Sequence, residues 1–140
     1  MRIIYRRARQ EDVHVLERLF EEFSGWQRER SVSIRRAIDD PGAELLVAEV
    51  DEEIAGFIYQ IFFEDPLHAG VNSVIADLYV EKGHRKKGIG SELLGKALET
   101  AKARDVKEVH VTTREDNYEA MKFYEKYGFN KAGVLFEMNP

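Results

Sequence analysis

The sequence predicts an α/β fold: a mixed, mainly antiparallel sheet of about six strands flanked by about four helices, in the order β-α-α-β-β-β-α-β-α-β. Three observations point there. Residues 44–50 and 54–63 are β-rich runs joined by the polar Asp51-Glu52-Glu53, the pattern of an antiparallel hairpin. Leu93, Leu94, Ala97, Leu98 and Ala101 make one apolar stripe of a long helix, and that helix lies between two further strand-like runs, as a right-handed βαβ crossover requires. The chain has 140 residues without a repeat or linker, which fits a single domain over 1–140 and leaves no room for a second.

Taken in order, residues 3–7 read as a short strand. Val13, Leu16, Leu19, Phe20 and Phe23 recur at helical spacing, predicting a helix over 11–23 that Ser24-Gly25 ends. A second helix is expected over 32–39, with Ser31 as its N-cap and Asp39-Asp40-Pro41-Gly42 closing it. After the hairpin comes a strand over 72–80, whose alternation puts Ile75, Asp77 and Tyr79 on one face and Ala76, Leu78 and Val80 on the other. The long helix is expected over 88–104, a strand over 106–113, and a helix over 117–127 with Gly128 as its stop. Residues 132–138 read as a last strand.

Composition narrows the function. With 21 Lys+Arg against 26 Asp+Glu the formal charge is −5, which argues against nucleic-acid or membrane-surface partners, since both need a positive face. There is no cysteine, which removes disulfides, thiolate metal sites and cysteine nucleophiles together, and the four histidines lack i,i+4 pairing, so no metal is expected. The N-terminal stretch has no apolar run of the signal-peptide kind, so a cytoplasmic location is expected.

The informative segment is Val80-Glu81-Lys82-Gly83-His84-Arg85-Lys86-Lys87-Gly88-Ile89-Gly90-Ser91. A strand ends, a basic glycine turn follows and a helix begins, so backbone N–H groups at a positive helix end are presented to an anion such as phosphate. Two nucleotide motifs fail against it. Gly83 and Gly88 have P-loop spacing, but Ile89-Gly90 stands where Lys-Ser/Thr must hold phosphate and magnesium, and a dinucleotide fingerprint needs glycine where Leu93 sits. A plain tight turn with a solvated basic loop is the structural alternative.

Arg85-Lys86-Lys87-Gly88-Ile89-Gly90 resembles the Arg/Gln-x-x-Gly-x-Gly/Ala motif of the GNAT superfamily of N-acetyltransferases, and Asn117 to Phe129 resembles its Asn-x-x-Ala-x-x-Phe-Tyr-x-x-x-Gly-Phe helix. The two occur in the family's order, about thirty residues apart, and the likeness covers roughly residues 72–130. Two departures stand out. Lys86 occupies a position that is often glycine in the family, and only eleven residues follow Phe129, enough for one strand where the family commonly has two. A homodimer with a partner-supplied strand would cover the sheet edge this leaves.

The resemblance implies transfer of an acetyl group from acetyl-CoA, as cosubstrate, to a small-molecule or peptide amine. It assigns the pyrophosphate to Arg85, Lys86, Lys87, Gly88, Ile89, Gly90 and Ser91, and the pantetheine arm to the backbone of Leu78 and Val80 as an added strand. Asn117 matches a position that contacts the CoA arm, and an ordinary N-cap satisfies it equally. Tyr124 matches the residue that protonates the departing thiolate, with Tyr118 and Tyr127 as neighbouring decoys. For the base that takes the amine proton, Asp77 is the candidate among apolar neighbours, while a bond from Asp77 to a nearby loop stays open; Glu115, Asp116 and His110 rank below it. Glu21, Glu22, Glu64 and Asp65 would favour a cationic acceptor such as a polyamine or a lysine side chain, or form a solvated acidic surface. Phe62, Phe63 and Trp26 would line its pocket or fill core. The rival reading is a non-catalytic acyl-CoA-binding sensor that keeps the phosphate turn without a working base.

Overall fold

A computed structural model describes residues 1–140 as two units, 1–110 and 111–140. In the first, β1 (Ile3–Arg7), β2 (Ala43–Val50), β3 (Glu53–Asp65) and β4 (Gly70–Val80) form an antiparallel meander, and β5 (Val109–Val111), at whose end the units divide, lies beside β4. The sheet order β1-β2-β3-β4-β5 makes five strands rather than six. The β2–β3 hairpin turns through Asp51 and Glu52, both left-handed at φ 49° and 71°, as the right-handed twist of a two-residue turn demands. Asp51 tolerates this because its main chain donates to Arg2 O and its carboxylate accepts from Arg2 N.

Between β1 and β2 run α1 (Val13–Ser24) and α2 (Ser31–Asp39). Leu16 and Leu19 of α1 and Ile34 of α2 pack with Leu45, Val47 and Phe57 on one face of the sheet. Gly25, left-handed at φ 74°, ends α1 by donating to Glu21 O. Ser31 does not cap α2: the capping position is Arg30, and the Ser31 hydroxyl instead donates to Glu29 at 2.6 Å. The helix begins at Ser31 itself, one residue earlier than expected, so the capping position falls on Arg30.

The opposite face carries α3 (Ile89–Ala103), which buries Ile89, Leu93, Leu94, Ala97 and Ala101. A polar band ties it down. Gln60, fully buried, donates to Ala97 O at 2.9 Å and accepts from Ser73 Oγ at 2.8 Å, while Thr100 Oγ1 donates to buried Glu44 at 2.6 Å. Buried polar groups left unpaired are costly, so this band ties the second half of α3 to β2 and β3.

In the second unit α4 (Tyr118–Lys126) is the only regular element besides the end of β5. Residues 132–138, expected as a strand, form none. Val134, Leu135 and Phe136 are exposed, and a strand-prone segment without a ladder partner keeps its main chain solvated instead of extended in a sheet. β5 is likewise shorter than the expected 106–113.

Candidate functional site

The site begins with a β-bulge. Along β4, Ile75 pairs with Gln60 and Asp77 with Tyr59, so Ala76 has no partner on β3. The bulge reverses the alternation. Ile75 lies on the α3 face with Gln60, while Asp77 and Tyr79 lie opposite Tyr59 and Phe57 on the α1 face. The expected common face of Ile75, Asp77 and Tyr79 is therefore split. Main-chain direction switches too. Val71 O and Ser73 N bond toward the β5 side, to Lys107 N and Glu108 O, yet Glu81 N bonds back to Ala55 O of β3. Beyond Ala76 the main-chain groups of Leu78 and Val80 thus turn to the β5 side. With β5 three residues long against eleven in β4, that edge is left for an added strand.

Gly56 makes this edge fit. It pairs with Val80, and a Cβ on it would lie 2.8 Å from Tyr79 O and 3.3 Å from Val80 Cα. A lone glycine inside a strand pattern signals such close approach. That signal is legible in the sequence at Gly56.

The basic turn follows directly. A short 3₁₀ turn over 82–84 leads into Arg85, whose Nε donates to Val80 O at 2.9 Å and whose guanidinium lies 5.6 Å from the centre of the Tyr79 ring. Lys86 is left-handed at φ 63°, which gives a physical reason why glycine suits this position. Gly88, at φ 80°, is the capping residue of α3, with no side-chain cap on the helix and no atom within 4 Å of where a Cβ would point. The uncapped first turn of α3 therefore meets open space through Gly88, behind Arg85, Lys86 and Lys87, an arrangement suited to phosphate. Ser91 and Gly90 stand in that first turn, whereas the Ile89 side chain is buried in the core, so Ile89 offers an anion only its main chain.

On the α1 face, Asp77 is partly buried and makes no side-chain hydrogen bond; burial holds its carboxyl above the usual carboxylate range. The alternative of a bond to a nearby loop is not what the structure has. Burial, with the charges of Asp40 and Asp77, also raises Tyr59. Tyr79, absent from the candidates above, is central: its ring packs on Phe23 and Phe57, and its hydroxyl donates to Glu22 at 3.2 Å. Glu22 is also paired with Arg18, which reaches Glu81 as well.

Of the acidic residues proposed for an acceptor, Glu22 and Asp65 are thus engaged internally. Asp65 caps the 3₁₀ turn 66–68 through Leu67 N and bonds His68 and Asn72. Phe62 carries the Arg104 guanidinium 4.1 Å above its ring, and Phe62, Phe63, Glu64, Val71 and Arg104 line a shallow hollow. Trp26 is exposed, with Arg28 over its ring.

The second unit holds Asn117 and Tyr124, about two turns apart on α4. Asn117 Oδ1 accepts from Ala120 N at 3.0 Å, an N-cap. The helix ends in a Schellman motif: Gly128, at φ 94°, donates to Glu125 O, and Phe129 N donates to Tyr124 O at 3.1 Å. This turn sets the Phe129 ring edge-on to Tyr124, and the Phe123 ring is also edge-on to it. Burial raises the Tyr124 phenol, whose hydroxyl has no partner within this unit. Tyr118 is exposed, and Tyr127 packs on Phe123.

The Acetyltransferase (GNAT) family model matches residues 10–129. The chain is 38% identical over 80 residues to the uncharacterized protein YxbD of Bacillus subtilis, covering 56% of this chain and 45% of that one. It is 28% identical over 99 residues to human N-acetyltransferase 8, covering 71% and 44%. The matched region spans about half the length of these curated relatives. Among solved structures, a transcriptional regulator from Bacillus halodurans superposes with a TM-score of 0.90 at 25% identity, over 99% of both chains.

Proposed function

This chain belongs to the GNAT acetyltransferase family, and from that premise we propose that it transfers an acetyl group from acetyl-CoA to a primary amine by direct attack on the thioester. The observation that carries the reading is the junction of β4 and α3. The edge at Leu78 and the Val80 N–H, which no strand covers, runs straight into an uncapped helix start behind three basic residues, so one extended ligand with a thioester at one end and phosphates further along would be served along its length. Arg85, Lys86, Lys87, Gly88, Gly90 and Ser91, with the main chain of Ile89, would hold the pyrophosphate. Leu78 and Val80 would bond the arm, and a main-chain N–H there would polarise the carbonyl.

Acetyl-CoA supplies the activated acyl carbon. A primary amine at neutral pH must first give up a proton, at roughly 4–5 kcal/mol for a pKa near 10.4. Asp77 takes it, directly or through water, and its raised pKa makes it a better base than an ordinary carboxylate. As the amine nitrogen bonds to carbon and the C–S bond breaks, Tyr124 gives its proton to the leaving sulfur, and the nitrogen sheds its second proton to solvent. A buried phenol stays protonated at neutral pH, which suits that role. Asn117 caps α4 and so holds Tyr124 in register.

The second reading is a non-catalytic acyl-CoA-binding sensor that keeps the phosphate turn without a working base. Released thiol distinguishes the two. The chain has no cysteine and gives no background, so a panel of polyamines, lysine peptides and other small amines can be screened with acetyl-CoA directly. Transfer to any of them supports the enzyme; acetyl-CoA binding with no turnover over the whole panel supports the sensor.

A further inference from the structure

Resting on the acetyl-CoA reading above, we infer that Tyr79 is a positioning residue for the phosphate end of the ligand, acting by carrying the Arg85 guanidinium on its ring. Arg85 belongs to the basic turn, and an exposed arginine on a solvent-facing loop would ordinarily sample many rotamers. Here two contacts restrict it: the flat face of Tyr79 at 5.6 Å and the Val80 carbonyl, which accepts from Nε at 2.9 Å. Both contacts leave the outer edge of the guanidinium, Nη1 and Nη2, without a partner in the molecule. That edge is a pair of donors that can bind a phosphate end-on. The group is thus held with its anion-binding edge unused.

Tyr79 is itself held. Its ring packs on Phe23 at 5.4 Å and Phe57 at 6.2 Å, and its hydroxyl donates to Glu22, which Arg18 fixes in turn. Arg18 also bonds Glu81, the residue after Val80. A chain of contacts therefore runs from α1 through Glu22 and Tyr79 to Arg85. The part that acts on Arg85 is the aromatic face. The hydroxyl only orients the ring, so phenylalanine can replace tyrosine and an aliphatic residue cannot.

The test is a double-mutant cycle on the calorimetric Kd for acetyl-CoA, with urea unfolding of every variant. Tyr79→Leu is expected to weaken binding about fivefold, the value of one exposed cation–π contact. Tyr79→Phe is expected to stay within about twofold of wild type, because the ring is kept. In an Arg85→Ala background, Tyr79→Leu should add less than about 1.5-fold, because the residue it acts through is gone. A purely structural role for Tyr79 would give the same loss in both backgrounds, and that additivity would overturn the inference. So would a Tyr79→Leu variant that binds as tightly as wild type. Should Tyr79→Leu fail to fold, Tyr79→Met fills the space between Phe23 and Phe57 with the same expectations. Failure of wild type to bind acetyl-CoA would overturn the underlying reading; wild-type binding with an additive cycle overturns the Tyr79 inference alone.

Discussion

Alanine at Gly56 tests how the sheet shapes the site. The added methyl would stand 2.8 Å from the Tyr79 carbonyl oxygen and 3.3 Å from Val80 Cα, both main chain and neither able to rotate away. Restoring an ordinary contact of 3.4 Å would push β4 back by roughly 0.6 Å at the residues proposed to hold the ligand arm. Overpacking of this kind costs about 1–3 kcal/mol. Against it stands a gain of about 0.4–1 kcal/mol from the less flexible unfolded chain. The net expectation is a loss of about 1–2 kcal/mol in urea unfolding, with acetyl-CoA binding weakened about tenfold because the edge at Leu78 and Val80 is displaced. Gly95→Ala is the control. It lies inside α3, with nothing within 4 Å of the new Cβ, and should gain about 0.5–1 kcal/mol with binding unchanged. If Gly56→Ala proved as stable as wild type and bound acetyl-CoA equally well, the close approach of β3 to β4 would not be shaping the site.

Three more predictions follow from the titrating groups. Asp77→Asn should lower kcat about 10²–10⁴-fold and abolish a rise in rate with pH whose midpoint lies above the ordinary aspartate range, since burial raises Asp77 and only its ionised form accepts a proton. An unchanged pH–rate profile would remove it as the base. Tyr124→Phe should lower kcat about 10–100-fold with little change in KM, because the lost proton transfer is made only as the C–S bond breaks; equal kcat in the two proteins would remove Tyr124 as the donor. Glu44 bears on stability alone. Burial raises its carboxyl above the unfolded value, partly offset by the Thr100 hydroxyl and by Arg7 and Arg104. A group raised on folding contributes stability below its unfolded pKa and loses it as pH rises through the folded one. Glu44→Gln should therefore flatten a decline in urea stability between acidic and neutral pH, and an identical slope in both proteins would contradict this.

The helices and the hairpin are legible in the sequence because each buries one stripe or one face, and that periodicity survives in the residue order: Leu16 and Leu19, Leu93 and Leu94 are all fully buried where the spacing puts them. The turn from Arg85 to Ser91 is legible because glycine at a strand-to-helix junction has few other physical uses. The bulge at Ala76 is not. It inserts one residue with no distinctive side chain, yet it moves Ile75 to the other face and turns Leu78 and Val80 to the open edge. Tyr79 escapes for a related reason: its part depends on Arg85 folding back over it, a contact between residues that no period links. Residues 132–138 show the converse, strand propensity without a ladder partner to realise it. Ser31 has the right residue type for a cap, but the helix starts on Ser31 itself and leaves the capping position to Arg30.

The most direct test of the central claim is calorimetric titration of the protein with acetyl-CoA, with ATP and the Gly88→Glu variant as controls. A side chain at Gly88 would have to adopt φ 80° at the start of α3, and glutamate would add negative charge where phosphate is proposed to sit. Saturable binding of acetyl-CoA by the wild type, with none by the folded variant and none of ATP, is the predicted result. Well-folded wild-type protein that does not bind acetyl-CoA would contradict the account at its root.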